Sequence, residues 1–141
     1  MFSSLRFSKW CAVTLIALAS IAQAPAQSLE GTWIVTQAER QMDPYPSLVG
    51  ATVTFTGNKF RIERPGRSVW EGTLRVDAAT GKIDMAHEGS AMVPPVRGDK
   101  WEGIYRFAGD TLEINTAQGH EARPSEFLSG YDLILMKLQR R

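Results

Sequence analysis

Trp101–Thr116 reads WEGIYRFAGDTLEINT, and its rhythm decides the fold class. Trp101, Gly103, Tyr105 and Phe107 alternate with Glu102, Ile104 and Arg106. Leu112 and Ile114 alternate with Thr111, Glu113 and Asn115. Between the two runs stands Ala108-Gly109-Asp110, a turn-forming tripeptide. Side chains that repeat every second residue on either side of a glycine turn make an antiparallel hairpin with one apolar face.

The same rhythm extends in both directions. Ala51–Thr56 (ATVTFT) and Lys59–Glu63 (KFRIE) flank a Gly57-Asn58 turn. Ser68–Val76 (SVWEGTLRV) follows Pro65-Gly66 and places Trp70, Gly72, Leu74 and Val76 on one face. Ala79-Thr80-Gly81 then turns into Lys82–His87 (KIDMAH). Thr32–Ala38 (TWIVTQA) and Tyr131–Leu138 (YDLILMKL) supply the first and last runs. No apolar stripe at helical spacing exceeds two turns. The reading is all-β: about eight strands some ten residues apart, joined by sequential hairpins, predict an eight-stranded antiparallel up-and-down barrel. Such a barrel has an interior just wide enough for side chains or one small ligand. Arg40–Gly50, with Pro44 and Pro46, is expected to cross a barrel mouth or carry a short helical turn.

Strand phase sets the expected core: Val53, Phe55, Phe60, Ile62, Trp70, Leu74, Ile83, Met85, Tyr105, Phe107, Leu112 and Ile114 inward. Thr52, Thr54, Lys59, Arg61, Glu71, Arg75, Asp84, Arg106 and Glu113 are expected to face water. A slip of one residue would reverse both sets. Gly72 and Gly103 fall on the inward phase, where they either relieve crowding or leave room for a ligand.

The chain begins with an export signature. Arg6 and Lys9 are the only charges before Glu30, and WCAVTLIALASIA occupies Trp10–Ala22. A positive start, a short apolar run and small residues at its end predict a secretory signal peptide. The run is shorter than the roughly 20 residues needed to span a hydrocarbon core. Cleavage after Ala26 is preferred to cleavage after Ala24, which would leave Pro25 first. The domains are therefore read as signal peptide 1–26 and a single barrel 27–141, secreted or periplasmic, with no membrane span after cleavage. Cleavage removes Arg6 and Lys9 and turns a formal charge of +1 into −1. It also removes Cys11, the single cysteine, leaving no disulfide, thiol nucleophile or thiolate metal site. This charge balance gives no reason to expect a nucleic-acid partner.

Motifs for catalysis are incomplete. His120-Glu121 lacks a second histidine at position 124, which is Pro124, so it is not the zinc-protease pattern. Thr80-Gly81-Lys82 has Val76 where a phosphate loop needs its first glycine. None of the serines sits in a Gly-x-Ser-x-Gly elbow. Glu71, Asp84, Glu102 and Glu113 alternate with core residues and read as solvated strand faces. The expectation is no enzyme, no catalytic residue, no metal and no cofactor.

Two resemblances add to this. Gly31-x-Trp33 resembles the opening of a lipocalin, in which the Trp plugs one barrel end beneath a basic residue of the last strand. That resemblance implies closure by Gly31, Trp33 and a cation, Lys137 or Arg140, with Lys137 taken as the candidate. A second resemblance covers nearly all of residues 27–141. Leu29-Glu30-Gly31-Thr32-Trp33, Gly103-Ile104-Tyr105 with Gly109-Asp110-Thr111-Leu112, Arg123-Pro124-Ser125-Glu126-Phe127 and Leu133–Lys137 occur in order. The chain is thereby similar to a planctomycete-type family of small uncharacterised bacterial domains with a lipocalin-like (calycin) barrel. Asn115 stands where many members carry cysteine, so no thiol role transfers. The resemblance implies a fold and no reaction.

The function expected is an exported barrel that binds a small apolar or amphipathic molecule, with Trp70, Met85, Tyr105, Phe107 and Arg123 as candidate ligand residues. Arg123 is suited either to clamping a carboxylate bidentately or to fixing its loop through carbonyls or a carboxylate such as Asp110. The alternative is an exported protein-interaction or inhibitor-like module with a filled core, using loops Met42–Leu48 and Ser90–Gly98. Its mark would be exposed Tyr45, Leu48, Met92 and Val93.

Overall fold

Among the described residues, nine strands form one antiparallel sheet whose first long strand pairs with its last, so the sheet closes on itself. The computed structural model describes residues 27–67, 69–88, 100–118 and 121–141. The expected signal segment 1–26 and its cleavage site, Ser68, the loop residues Ser90–Gly98 with Met92 and Val93, and His120 lie outside the described residues. The strands are β1 (Gly31–Arg40), β2 (Asp43–Pro44), β3 (Thr52–Thr56), β4 (Lys59–Glu63), β5 (Trp70–Asp77), β6 (Lys82–His87), β7 (Lys100–Ala108), β8 (Thr111–Ala117) and β9 (Leu133–Arg140). From β3 to β9 each strand pairs with the next in sequence, as hairpin turns dictate, and β1 lies between β3 and β9. The expected eight-stranded up-and-down barrel is therefore present, with β2 as an extra short strand beside β1.

The hairpin read first from the sequence has the expected register. Phe107 faces Leu112, Tyr105 faces Ile114, and Gly103 faces Thr116. The connection Arg40–Gly50 carries β2 and turns rather than a helix. Its Leu48 is buried in the core.

The inward phase holds. Val53, Phe55, Phe60, Ile62, Leu74, Ile83, Met85, Leu112 and Ile114 are all buried, joined by Trp33, Val35, Ile134, Met136 and Leu138. Trp70, Tyr105 and Phe107 are half-buried and pack against this core. Gly72 and Gly103 make room for backbone, not ligand. A Cβ on Gly72 would lie 1.9 Å from the Ala86 carbonyl oxygen, and one on Gly103 would lie 2.5 Å from that of Asn115. At both places neighbouring strands approach more closely than a side chain allows, which lets the sheet coil tightly enough to close.

One outward position departs from expectation. Glu113 is buried rather than solvated. It pairs with Arg106 of β7 in register on one side and with Lys137 of β9 on the other. Arg106 donates to its carboxylate, and the Lys137 ammonium stands 3.8 Å away. Two cations compensate a carboxylate that alternation alone would leave in water. Arg106 also lies over the Phe127 ring, 4.1 Å from its centre, so the segment after β8 shields this cluster.

That returning segment wraps the outside of the barrel. The buried Asn115 donates from Nδ2 to the carbonyls of Glu126 at 2.7 Å and Leu128 at 2.8 Å. Arg123 reaches the β6–β7 seam, donating to the Gly103 carbonyl at 2.7 Å, the Ile83 carbonyl at 3.3 Å and the Asp84 carboxylate at 2.7 Å.

Candidate functional site

The lower end, where the turns β3–β4, β5–β6 and β7–β8 gather around the start of β1, is assembled on Trp33. Trp33 is buried, and its indole N–H donates to the Leu29 carbonyl at 2.8 Å. That bond folds Gln27–Glu30 back across the mouth, where the Leu29 side chain is itself buried. The Arg140 guanidinium stacks 4.2 Å above the Trp33 ring. It also donates to the Glu30 carbonyl at 2.6 Å and the Ser28 carbonyl at 2.9 Å. Gly57 N donates to the Glu30 carboxylate at 2.5 Å, tying the segment to the β3–β4 turn.

The cation of barrel closure is thus Arg140, not Lys137. Register explains the correction: Arg140 lies directly opposite Trp33 in the β1–β9 pair, whereas Lys137 faces Gln37 across a bulge and turns to Glu113. Gly31 completes the arrangement. Its φ of +119° is open to glycine, and a Cβ there would come within 2.9 Å of an Arg140 guanidinium nitrogen.

Beside the folded-back segment is a depression of about 250 Å³, open to solvent. Its walls are Leu29, Phe55, Leu74, Val76 and Tyr105, with Ser28, Glu30 and Gly57 on the rim. Burial, and secondarily the Asp77 carboxylate, pushes the Tyr105 hydroxyl above its usual range, so it carries its proton at neutral pH. The Tyr105 ring meets Phe107 edge-on at 6.0 Å between centres, and Phe107 meets Trp33 at 6.2 Å. An aromatic chain therefore leads from the depression to the ring that closes the barrel.

The residues singled out in the sequence do not meet in one place. Tyr105 lines the lower depression and Phe107 stands behind it. Met85 is wholly buried within the packed interior. Trp70 sits toward the opposite end, edge-on to Trp101 at 5.2 Å and covered by the Arg64 guanidinium at 3.8 Å. Burial pushes that guanidinium below its ordinary value. Arg123 lies on the outer face, holding its loop through two carbonyls and a carboxylate, and the carboxylate is Asp84 rather than Asp110. Leu29, Phe55, Leu74 and Val76 were missed as site residues. Leu29 had a signal, its place in the Leu-x-Gly-x-Trp opening; the others read only as strand core.

Among the described residues, two further depressions lie over β3–β7. One is lined largely by Thr54, Thr56, Lys59, Arg61, Glu71 and Glu88, and the other by Thr73, Arg75, Asp84 and Lys100. Both carry acidic and basic side chains in their walls, whereas Glu30 is the charged side chain at the Trp33-end depression.

No family model matches the chain, and no curated protein or solved structure matches it.

Proposed function

We propose that this protein is an exported carrier or sensor of a small apolar or amphipathic molecule, bound at the Trp33 end of the barrel. The observation that carries the reading is the depression of about 250 Å³ walled by five apolar or aromatic side chains, with a protonated tyrosine hydroxyl among them. Concave apolar surface with one or two polar groups is the usual form of a small-molecule site. The packed interior around Met85 directs the guest to the mouth instead of the barrel axis. A neutral molecule of roughly a dozen heavy atoms suits the volume, which lies just under the usual range for drug-sized ligands.

Export and family membership belong to the same proposal. The charged start, the run Trp10–Ala22 and Ala26 support release of a chain beginning at Gln27. Intact mass of material recovered outside the cytoplasm is expected to omit Arg6 and Lys9; a mass retaining them overturns the export reading. The ordered Leu-x-Gly-x-Trp and Gly-Ile-Tyr signatures support placement among the lipocalin-like planctomycete-type domains.

Binding is tested with 1-aminoanthracene, a neutral probe whose fluorescence rises in apolar surroundings. Val76→Trp fills the wall at a position already partly exposed, so it spares the core. The parent is expected to enhance the probe's fluorescence, and the variant to weaken binding about tenfold, the equivalent of about 1.4 kcal/mol. Equal enhancement by both proteins would remove the depression as the site.

A further inference from the structure

The turn between β1 and β2 is built against its own backbone preference. Arg40 pairs with Asp43, so Gln41 and Met42 alone make the turn. Both have positive φ, 53° and 66°. A two-residue hairpin turn with both residues left-handed favours Asn-Gly, because a Cβ is disfavoured in that conformation. Asp132, just before β9, is left-handed as well, at 51°.

The strained turn is held from outside. Met42 N donates to Ser129 Oγ at 3.0 Å and Gln41 N to the Gly130 carbonyl at 3.2 Å. Ser129 Oγ in turn donates to the Glu39 carboxylate at 3.3 Å, and Arg40 pairs with Asp132 at 3.5 Å. This interlock presents apolar side chains to water: Met42 is 75% exposed, Tyr131 72% and Leu128 59%. Strain kept in place by surrounding bonds and yielding no burial is the kind found at functional surfaces.

The rim of this patch is acidic. Among the described residues, Glu39, Asp43 and Glu126 are exposed around it and Asp132 is half-exposed; of the neighbouring cations, Arg40 is paired with Asp132, and Arg106 and Lys137 are both drawn to Glu113. A second copy would set these carboxylates against their own kind, and an anionic bilayer or nucleic acid would be repelled in the same way. We infer that Met42, Leu128 and Tyr131 form a docking surface for a basic segment of another polypeptide that carries apolar side chains. Methionine adapts its shape to such a guest, tyrosine is a favoured anchor, and the carboxylates select the partner's charge. The surface is distinct from the Trp33-end depression and independent of it.

The test uses two short fluorescein-labelled peptides, one of lysine, leucine and phenylalanine, the other with every lysine replaced by glutamate. Fluorescence polarisation is expected to show binding of the lysine peptide, weakened by added salt, and none of the glutamate peptide. The double variant Gln41→Asn/Met42→Gly installs the turn the backbone prefers. It is expected to raise Tm, to weaken the lysine peptide about tenfold, and to leave 1-aminoanthracene binding unchanged. A rise in stability with a loss of binding separates a docking role from simple misfolding. Equal binding of both peptides, or undiminished binding by the double variant, overturns the inference. So does a dimer in sedimentation that this variant dissociates, since the face would then belong to a second copy.

Discussion

At the scale of single residues, Trp33 shows how a short sequence signal becomes a structural device. Its ring is buried, its N–H holds the Leu29 carbonyl, and Arg140 covers it. These effects differ in size. Removing a buried Trp costs about 3–5 kcal/mol through lost burial and the cavity left behind. The exposed Arg140 contributes a cation–π contact of about 0.5–1 kcal/mol, with some addition from its two carbonyl bonds. Lys137 gives Glu113 a second cation at 3.8 Å while Arg106 remains in place, so its loss costs below about 1 kcal/mol. Thermal unfolding is expected to rank Trp33→Ala as most damaging, then Arg140→Ala, then Lys137→Ala. A Trp33→Ala protein that melts like the parent would remove Trp33 from barrel closure. Gly31-x-Trp33 announced the pairing, yet the choice of Arg140 over Lys137 depended on register: Lys137 stands between the buried Met136 and Leu138 and faces outward, while Arg140 lies opposite Trp33.

At the scale of elements, the hairpins were legible because period-two alternation and turn residues point to the same register. Phe55 opposite Phe60 and Leu74 opposite Met85 are cases in which side-chain phase and turn agree. β2 was not legible: Asp43-Pro44 has no alternation, and its pairing depends on a turn sequence, Gln41-Met42, that argues against one. The β5–β6 turn carries a pH dependence of its own. Hydrogen bonding from Thr80, above all its side chain, and from Ala79 N at 3.1 Å holds the Asp77 carboxyl below its ordinary value of 3.8. A depressed carboxyl favours the folded form above the unfolded value, and this contribution disappears as pH falls through the lower, folded value. The Ala79 amide resonance is therefore expected to hold steady down to about pH 4 and to shift only in more acid solution. In Asp77→Asn that shift should vanish. A midpoint above the ordinary value of 3.8 would contradict the hydrogen-bonded geometry.

At the scale of the whole molecule, the barrel was readable and the site was not, for one physical reason. Alternation reports which side of a sheet a residue faces, whereas a mouth depends on where strands end relative to one another. The depression collects Leu29, Phe55, Leu74, Val76 and Tyr105 from three separate strands and the segment before the first. That meeting is fixed by strand stagger and by Gln27–Glu30 folding back, neither of which any local pattern encodes. Closure itself makes a global prediction. The β1–β9 seam runs from Trp33 opposite Arg140 to Arg40 opposite Ile134, and Arg141 N extends it by donating to the Thr32 carbonyl at 2.9 Å. A closed barrel has no free edge along this seam, so its amides open only when the whole sheet does. An open sandwich would instead expose β1 and β9 as edges that fray locally. Native-state hydrogen exchange is expected to give the amides bonded between β1 and β9 the same opening free energy as those of β8. Seam amides exchanging well ahead of the amides of Leu112, Ile114 and Thr116 would mean that the sheet is held together by its hairpins alone, and that Trp33 caps an edge rather than a closed end.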